Sequence, residues 1–341
     1  MYRNIFIALF SLGILLASSW VKADLVTLKN GDRISGTVIR KDKKALVFKT
    51  SYAGEIKISW DEIAGLTTDK AVEVMMDNDE ILDGVLLPAE SGEMRLQTNE
   101  KIETASLSLE KIKYINPPPE ISGKGVKYSG RVNIGASAAR GNSTNNRLHS
   151  DAEFIARTKK NRYALGGSFN YASDSNTTTE SNAFGYMKYD RFFTKKWYGY
   201  ANSTLQNDRL QDIRLRTTLG IGPGYQIFES EETNLSLEGG LSYVYVDRTT
   251  QPNESYPAAR LAVAFDHFLF DKSLQFFTAD EAFQSLDNVD NLFIRTQTGL
   301  RMPLPHHLAA TTQVNVDWNN NPAPGKVSTD RSVIFSLGYA W

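Results

Sequence analysis

From residue 127 to residue 341, apolar and polar positions alternate with a period of two in segment after segment, with turn-forming residues between them. That period puts successive side chains on opposite faces of a strand. Residues 213–227 set Ile213, Leu215, Leu219, Ile221, Tyr225 and Ile227 against Arg214, Arg216, Thr218, Gly220, Gly222 and Gln226. Residues 233–247 set Leu235, Leu237, Leu241, Tyr243 and Tyr245 against Ser236, Glu238 and Ser242. Further on, Val314, Val316 and Trp318 oppose Gln313, Asn315 and Asp317. At the end, Val333, Phe335, Leu337, Tyr339 and Trp341 oppose Ser332, Ile334, Ser336, Gly338 and Ala340. One face for lipid and one for a lumen is the pattern of a transmembrane β-barrel.

Twelve such segments are expected, at 127–139, 145–157, 162–173, 182–193, 197–207, 213–227, 233–247, 257–270, 272–286, 291–303, 308–319 and 330–341. Each is about 10–15 residues, enough for a tilted spanning strand. The predicted fold is therefore all-β, a 12-stranded antiparallel barrel. An even count returns both ends of the barrel to one side. Connections on that side are short (158–161, 194–196, 228–232, a turn around Asp271, 304–307). Most on the other side are longer and more polar (174–181, 248–256, 320–329). Within 272–286, Asp280 stands next to Glu281, so this strand must either break phase or carry a carboxylate outward.

Upstream lies an internal repeat. Asn30-Gly31-Asp32-Arg33-Ile34-Ser35-Gly36-Thr37-Val38 aligns with Asn78-Asp79-Glu80-Ile81-Leu82-Asp83-Gly84-Val85-Leu86. Thr50 then matches Thr98, Trp60 matches Leu109, and Ile63 matches Ile112. Each copy predicts about five short strands, giving two small β-rich units at 24–70 and 71–116. Residues 117–126, with Pro117-Pro118-Pro119 and Ser122-Gly123-Lys124-Gly125, read as a linker. Residues 1–23 combine Arg3, an apolar run from Ile5 to Ala17, and Val21-Lys22-Ala23. This is the layout of a secretory signal peptide, with a mature chain from Asp24.

Composition narrows the chemistry. The absence of cysteine excludes a disulfide framework and a lipoprotein anchor, and suits the periplasm. A formal charge of −1 gives no electrostatic case for nucleic acid. The first repeat carries nine Lys/Arg against seven Asp/Glu, and the second four against ten. Such an asymmetry can orient an encounter with a partner.

On the cleaner strands Arg131, Arg147, His149, Asp151, Glu153, Arg214, Arg216, Glu238, Arg260, Asp266, Arg295, Arg301 and Asp317 fall on the lumen face. Charge is expensive toward lipid and tolerable in a wet or paired interior. Twelve strands enclose more space than the eight that side chains just fill. Two readings stay open. Either these charges pair and close the lumen, or a narrow diffusion pore runs through it, with seven arginines against five acids favouring anions.

Catalysis finds little support. His149 and Ser150 point to opposite faces of a strand, so they form no base and nucleophile pair. His267 falls at a rim, and His306-His307 in a turn. No zinc spacing, phosphate-cradling loop or nucleophile elbow is present. Gly220-Ile221-Gly222-Pro223-Gly224 lies inside a strand with no helix after it, which suits lumen glycines accommodating curvature. No enzymatic activity, cofactor or metal is expected. Phe192, Phe193, Trp197, Tyr198, Phe268, Phe270, Trp318 and Trp341 cluster near segment ends and read as interfacial girdles. Tyr198 and Tyr200 stay open between that role and a sugar-stacking lumen.

Gly135, Gly141-Asn142-Ser143, Tyr189-Asp190-Arg191-Phe192, the glycine-rich run 214–224 and the terminal Ser336-Leu337-Gly338-Tyr339-Ala340-Trp341 follow in order. Over residues 125–341 this resembles the salt-induced outer-membrane proteins, the domain-of-unknown-function 481 family. The first repeat, with Gly36 on a strongly bent strand, resembles Sm-like or SH3-like small barrels; the second does so less closely. Ser336, Gly338, Tyr339 and Trp341 resemble the C-terminal signal read by the barrel-assembly machinery. These resemblances imply an outer-membrane barrel in contact with lipid and the assembly machinery, linked to salt or osmotic stress. Its N-terminal units would lie in the periplasm. The expected role is structural or a narrow pore. The alternative is an adaptor, anchored by its barrel, whose repeats bind an envelope partner.

Overall fold

The computed structural model describes residues 23–42, 44–89, 92–98, 104–139, 145–322 and 324–341. The expected signal peptide, apart from Ala23, and the Gly141-Asn142-Ser143 motif lie outside these residues. The chain divides into two compact units, residues 1–117 and 118–341.

The first unit repeats one topology. Its first copy comprises β1 (Asp24–Leu28), β2 (Arg33–Lys41), β3 (Ala45–Thr50), β4 (Gly54–Ser59) and β5 (Ile63–Thr67). The second comprises β6 (Val72–Met76), β7 (Ile81–Leu87), β8 (Glu93–Gln97), β9 (Thr104–Ser108) and β10 (Ile112–Ile115). In each copy the first strand pairs with the second and the fifth, and the second, third and fourth form a meander. The β1–β2 turn is held by Asp32 N donating to Asn30 Oδ1 at 3.0 Å, and its counterpart by Glu80 N donating to Asn78 Oδ1 at 3.0 Å. Gly36 and Gly84 occupy equivalent places for one reason: a Cβ there would sit 2.3 Å from Lys49 O or 2.4 Å from Gln97 O.

The two copies are not separate units. β2 pairs with β10 at Lys41 and Ile115, and Trp60 Nε1 donates 3.0 Å to the carbonyl of Leu109, its repeat equivalent. Val26, Phe48 and Leu66 of the first copy and Val74, Leu86, Leu96 and Ile115 of the second share one buried apolar cluster. The physical reason is size. A β unit of fewer than about 50 residues buries too little apolar surface to stand alone, and fusing two removes an exposed face from each. At the junction Lys41 is only 2% exposed. Its ammonium donates to Asp42 O (3.1 Å) and Lys113 O (3.0 Å) and lies 4.6 Å from the Trp60 ring centroid. Burial pushes its pKa down to about 8, against the opposing pull of Asp42 and Asp61.

The second unit starts with a one-turn helix, α1 (Pro119–Ser122), inside the expected linker. Twelve strands follow: β11 (Lys127–Ala139), β12 (Asn145–Arg157), β13 (Asn161–Asp174), β14 (Thr177–Phe192), β15 (Trp197–Asp208) and β16 (Ile213–Glu229). The second half is β17 (Thr233–Arg248), β18 (Glu254–Leu269), β19 (Leu274–Ser285), β20 (Leu292–Pro303), β21 (Leu308–Asn319) and β22 (Thr329–Ala340). Each pairs antiparallel with the next, and β22 closes on β11 from Arg131↔Ala340 to Ile134↔Leu337. The expected loop at 174–181 is instead a tight hairpin. Ser175 and Asn176 take φ of 47° and 67°, the left-handed pair that lets two twisted strands continue to the turn.

The barrel is turned inside out relative to the first unit. Ile221, Leu261 and Phe335 are 65%, 66% and 70% exposed on its outer wall. Trp197 and Tyr225, Tyr163 and Tyr189, and Tyr339 and Trp341 pair at the end carrying the termini. Tyr171, Tyr243 and Tyr245 face outward toward the loop end. Phe192 and Tyr198 do not belong to these girdles. They are 4% and 1% exposed and turn inward with Tyr200. β19 pairs with both neighbours without a bulge, so Glu281 points inward and Asp280 outward at mid-height, opposite Val263 and Thr296.

Candidate functional site

The lumen is where the barrel's chemistry converges, and three layers fill it. Near the termini, Arg157 grips Glu229 through Nε and Nη2 (2.8 and 3.0 Å) and stacks 3.8 Å above the Phe192 ring. Arg162 donates to Asp190 at 2.6 Å and to Gln226 at 2.9 Å. The rings of Tyr198 and Tyr200 lie flat on the wall because Gly224 and Gly240 leave them room. A Cβ at either position would come within 2.4 Å of its tyrosine. Gly224, in the run expected to accommodate curvature, thus also makes room for a ring.

The middle layer centres on Glu238, 7% exposed. It accepts from Lys188, from Arg260 Nη1 at 2.9 Å and from Tyr198 Oη at 2.8 Å. Arg260 also reaches Glu281, its Nε donating at 3.2 Å. On the opposite wall Glu153 accepts from Arg131 and Tyr186. His149 is held on both ring nitrogens, by Asp151 at 2.9 Å and Asn170 at 2.6 Å. Ser150 is on the other face of the strand.

The third layer lies toward the loops. Arg295 on β20 clasps Asp317 (3.1 and 2.9 Å) and donates to Gln206 of β15, five strands away, at 3.0 Å. It also stacks 4.6 Å from the ring of Phe184 on β14, six strands away in a ring of twelve. Arg216 donates to the same Gln206 oxygen at 3.2 Å and stacks 4.8 Å from the Phe293 ring. Ile213, Val244, Val246, Ala258 and Phe283 pack beside them as an apolar cluster. A cavity of about 20 Å³ lies among them. Above it Gln211 reaches across the mouth to Asp330. The terminal half is looser: Ala264 and Ala279 face the lumen and stay exposed.

Of the lumen charges expected from sequence, Arg131, Asp151, Glu153, Arg216, Glu238, Arg260, Asp266, Arg295, Arg301 and Asp317 do face inward. Arg147 is exposed at the loop-end mouth and donates to Val333 O at 3.2 Å. Arg214 is a correction. A bulge between Ile213 and Leu215 turns Ile213 into the lumen and puts Arg214 outside, on Asp247 at 2.8 Å. A bulge adds one residue and so reverses the phase of all that precedes it. Sequence reasoning missed Arg157, Arg162, Lys188, Asp190, Glu229 and Glu281. Lys188, Asp190 and Phe192 form a regular inward series on β14, a period-two signal blurred by outward Arg191 at the strand end.

Comparison with solved structures finds matches of low identity. The translocator domain of autotransporter NalP from Neisseria meningitidis is 11% identical, with 64% of this chain and 89% of that one covered and a TM-score of 0.34. The outer membrane channel DcaP of Acinetobacter baumannii is 11% identical, with 80% and 94% covered and a TM-score of 0.31. A bacterial polysaccharide outer membrane secretin is 7% identical, with 64% and 98% covered and a TM-score of 0.32. No curated protein matches the sequence. The family profile described as "Protein of unknown function, DUF481" matches residues 132–341, well over half of the chain, which therefore belongs to the DUF481 family.

Proposed function

We propose that this chain is a non-enzymatic outer-membrane barrel with a closed interior, serving the envelope as a structural element that carries its N-terminal β unit. One observation supports this above the others. Arg295 on β20 meets Gln206 on β15 and Phe184 on β14, so side chains span the lumen from wall to wall. One layer spanned in this way suffices to stop ions, and the cavity beside Arg216 within it measures about 20 Å³. The narrow-pore reading needs that layer to open. Single-channel recording of the refolded full chain in a planar bilayer is the test. A folded, heat-modifiable barrel that passes no steady current is expected, and a stable open level would overturn the reading.

The adaptor reading keeps one support of its own: the N-terminal repeats have a complete apolar core independent of the barrel. Deleting residues 24–116 separates the two. A structural barrel keeps its effect on envelope integrity without them, and an adaptor loses it.

A further inference from the structure

Nearly every cation buried in the lumen has an acid. Arg157 has Glu229, Arg162 has Asp190, Lys188 and Arg260 share Glu238, Arg131 has Glu153, and Arg295 has Asp317. Arg216 is different. It is 8% exposed, and among the described residues no carboxylate lies within ion-pair distance of it. Its single hydrogen-bond partner is Gln206, whose oxygen already accepts from Arg295, and its Nε has no partner at all. The barrel residues outside the description, 140–144 and 323, include no Asp or Glu. Arg301 also has a buried Nε without a partner, but the residue as a whole is only half-buried, in the looser terminal half of the lumen, and its Nη1 donates to Gln275 at 2.7 Å.

An arginine cannot shed its charge in a protein, and an unpaired buried charge is costly enough that structures almost always supply a counter-ion. Beside Arg216 lies the cavity of about 20 Å³, lined also by Thr204, Thr218, Tyr256 and the rings of Phe283 and Phe293. Thr204 and Thr218 stand directly opposite each other on β15 and β16. The acids nearby are committed: Glu281, which also lines the cavity, to Arg260, and Asp317 to Arg295. An unpartnered guanidinium Nε and two threonine hydroxyls beside a cavity of about 20 Å³ suit a small monovalent anion.

We propose that Arg216, with Thr204 and Thr218, forms a buried halide site, filled by chloride, inside the layer that seals the barrel. The inference rests on the closed lumen proposed above and makes chloride part of the seal. Ligand that binds only the folded state raises the melting temperature with concentration. The refolded full chain in detergent is therefore melted in rising chloride, with gluconate holding ionic strength constant. A saturable rise of several degrees is expected, absent in Arg216→Gln and reduced in Thr218→Val. An equal chloride response in Arg216→Gln, or none in the unaltered chain, overturns the site. Bromide-soaked crystals of the unaltered chain give a second readout that survives misfolding of the variants. An anomalous peak beside Arg216 supports the proposal, and a bromide-free cavity refutes it. A steady bilayer current together with that peak would break the closed-lumen reading and leave the anion site standing.

Discussion

The two halves of this chain solve opposite solvent problems with the same strand period. In the N-terminal unit the inward positions are Val26, Phe48, Leu66, Val74 and Leu96, all essentially inaccessible, and apart from Asp24 and Lys41 the charges described stay accessible. In the barrel the inward positions include Arg157, Asp190, Arg216, Glu238 and Arg260, and leucines such as Leu219, Leu241 and Leu261 face out. Alternation is therefore silent about which face is the core. The surrounding medium decides, through the cost of leaving backbone and charge unsatisfied in lipid. A second contrast follows. An apolar core tolerates a missing contact as a cavity, whereas an ionic interior must be complete, because every partner removed leaves a buried charge.

That contrast can be broken by experiment. The largest effect is expected from Glu238→Ala, which removes the carboxylate shared by Lys188 and Arg260 and leaves Asp190 and Glu281 as their only acids among the described residues. A loss on the order of 3–5 kcal/mol is expected, read as a lower urea midpoint of the heat-modifiable band, with the N-terminal unit unaffected. No measurable loss would mean that the lumen is wet and screened rather than packed.

The single buried ammonium of the apolar unit gives the next effect. The pKa of Lys41 is lowered to about 8 in the folded state against 10.5 when exposed. The unfolded chain thus binds more protons between those values, and stability rises as pH is raised from about 8 toward 10.5. Below about 8 both states are protonated and the cost of burial is fully present. The expected gain is on the order of 2–3 kcal/mol, seen as a rising urea midpoint for the N-terminal transition and lost in Lys41→Met. A flat profile in the unaltered chain would show that the ammonium keeps its water.

The smallest effect sharpens the outer wall. Asp280 faces lipid at mid-height of β19, its carboxylate accepting only from Thr278, at 3.0 Å, among the bonds described. Asp280→Val is expected to stabilise the barrel by roughly 1–2 kcal/mol. Destabilisation instead would mean that this stretch of wall faces something polar.

Much of this was legible in the order of residues. All twelve barrel strands begin and end within a few residues of where the alternation and turn residues place them, apart from β14, which starts earlier. The closing strand presents Val333, Phe335, Leu337, Tyr339 and Trp341 outward as its pattern requires. The repeat was equally plain, down to the matched turns at Asn30 and Asn78. Strand length, period and turn chemistry are local properties, carried by neighbours in the chain. Other features depend on residues far apart, and tertiary structure alone decided them. Arg214 left the lumen because of one bulge, and Phe192 and Tyr198 turned inward beneath Arg157 and Arg162. The two repeats fused because neither buries enough apolar surface by itself. Side chains span the lumen because Arg295 meets Gln206 and Phe184 on the opposite wall, a meeting set by the curvature of twelve strands and written in no single one of them.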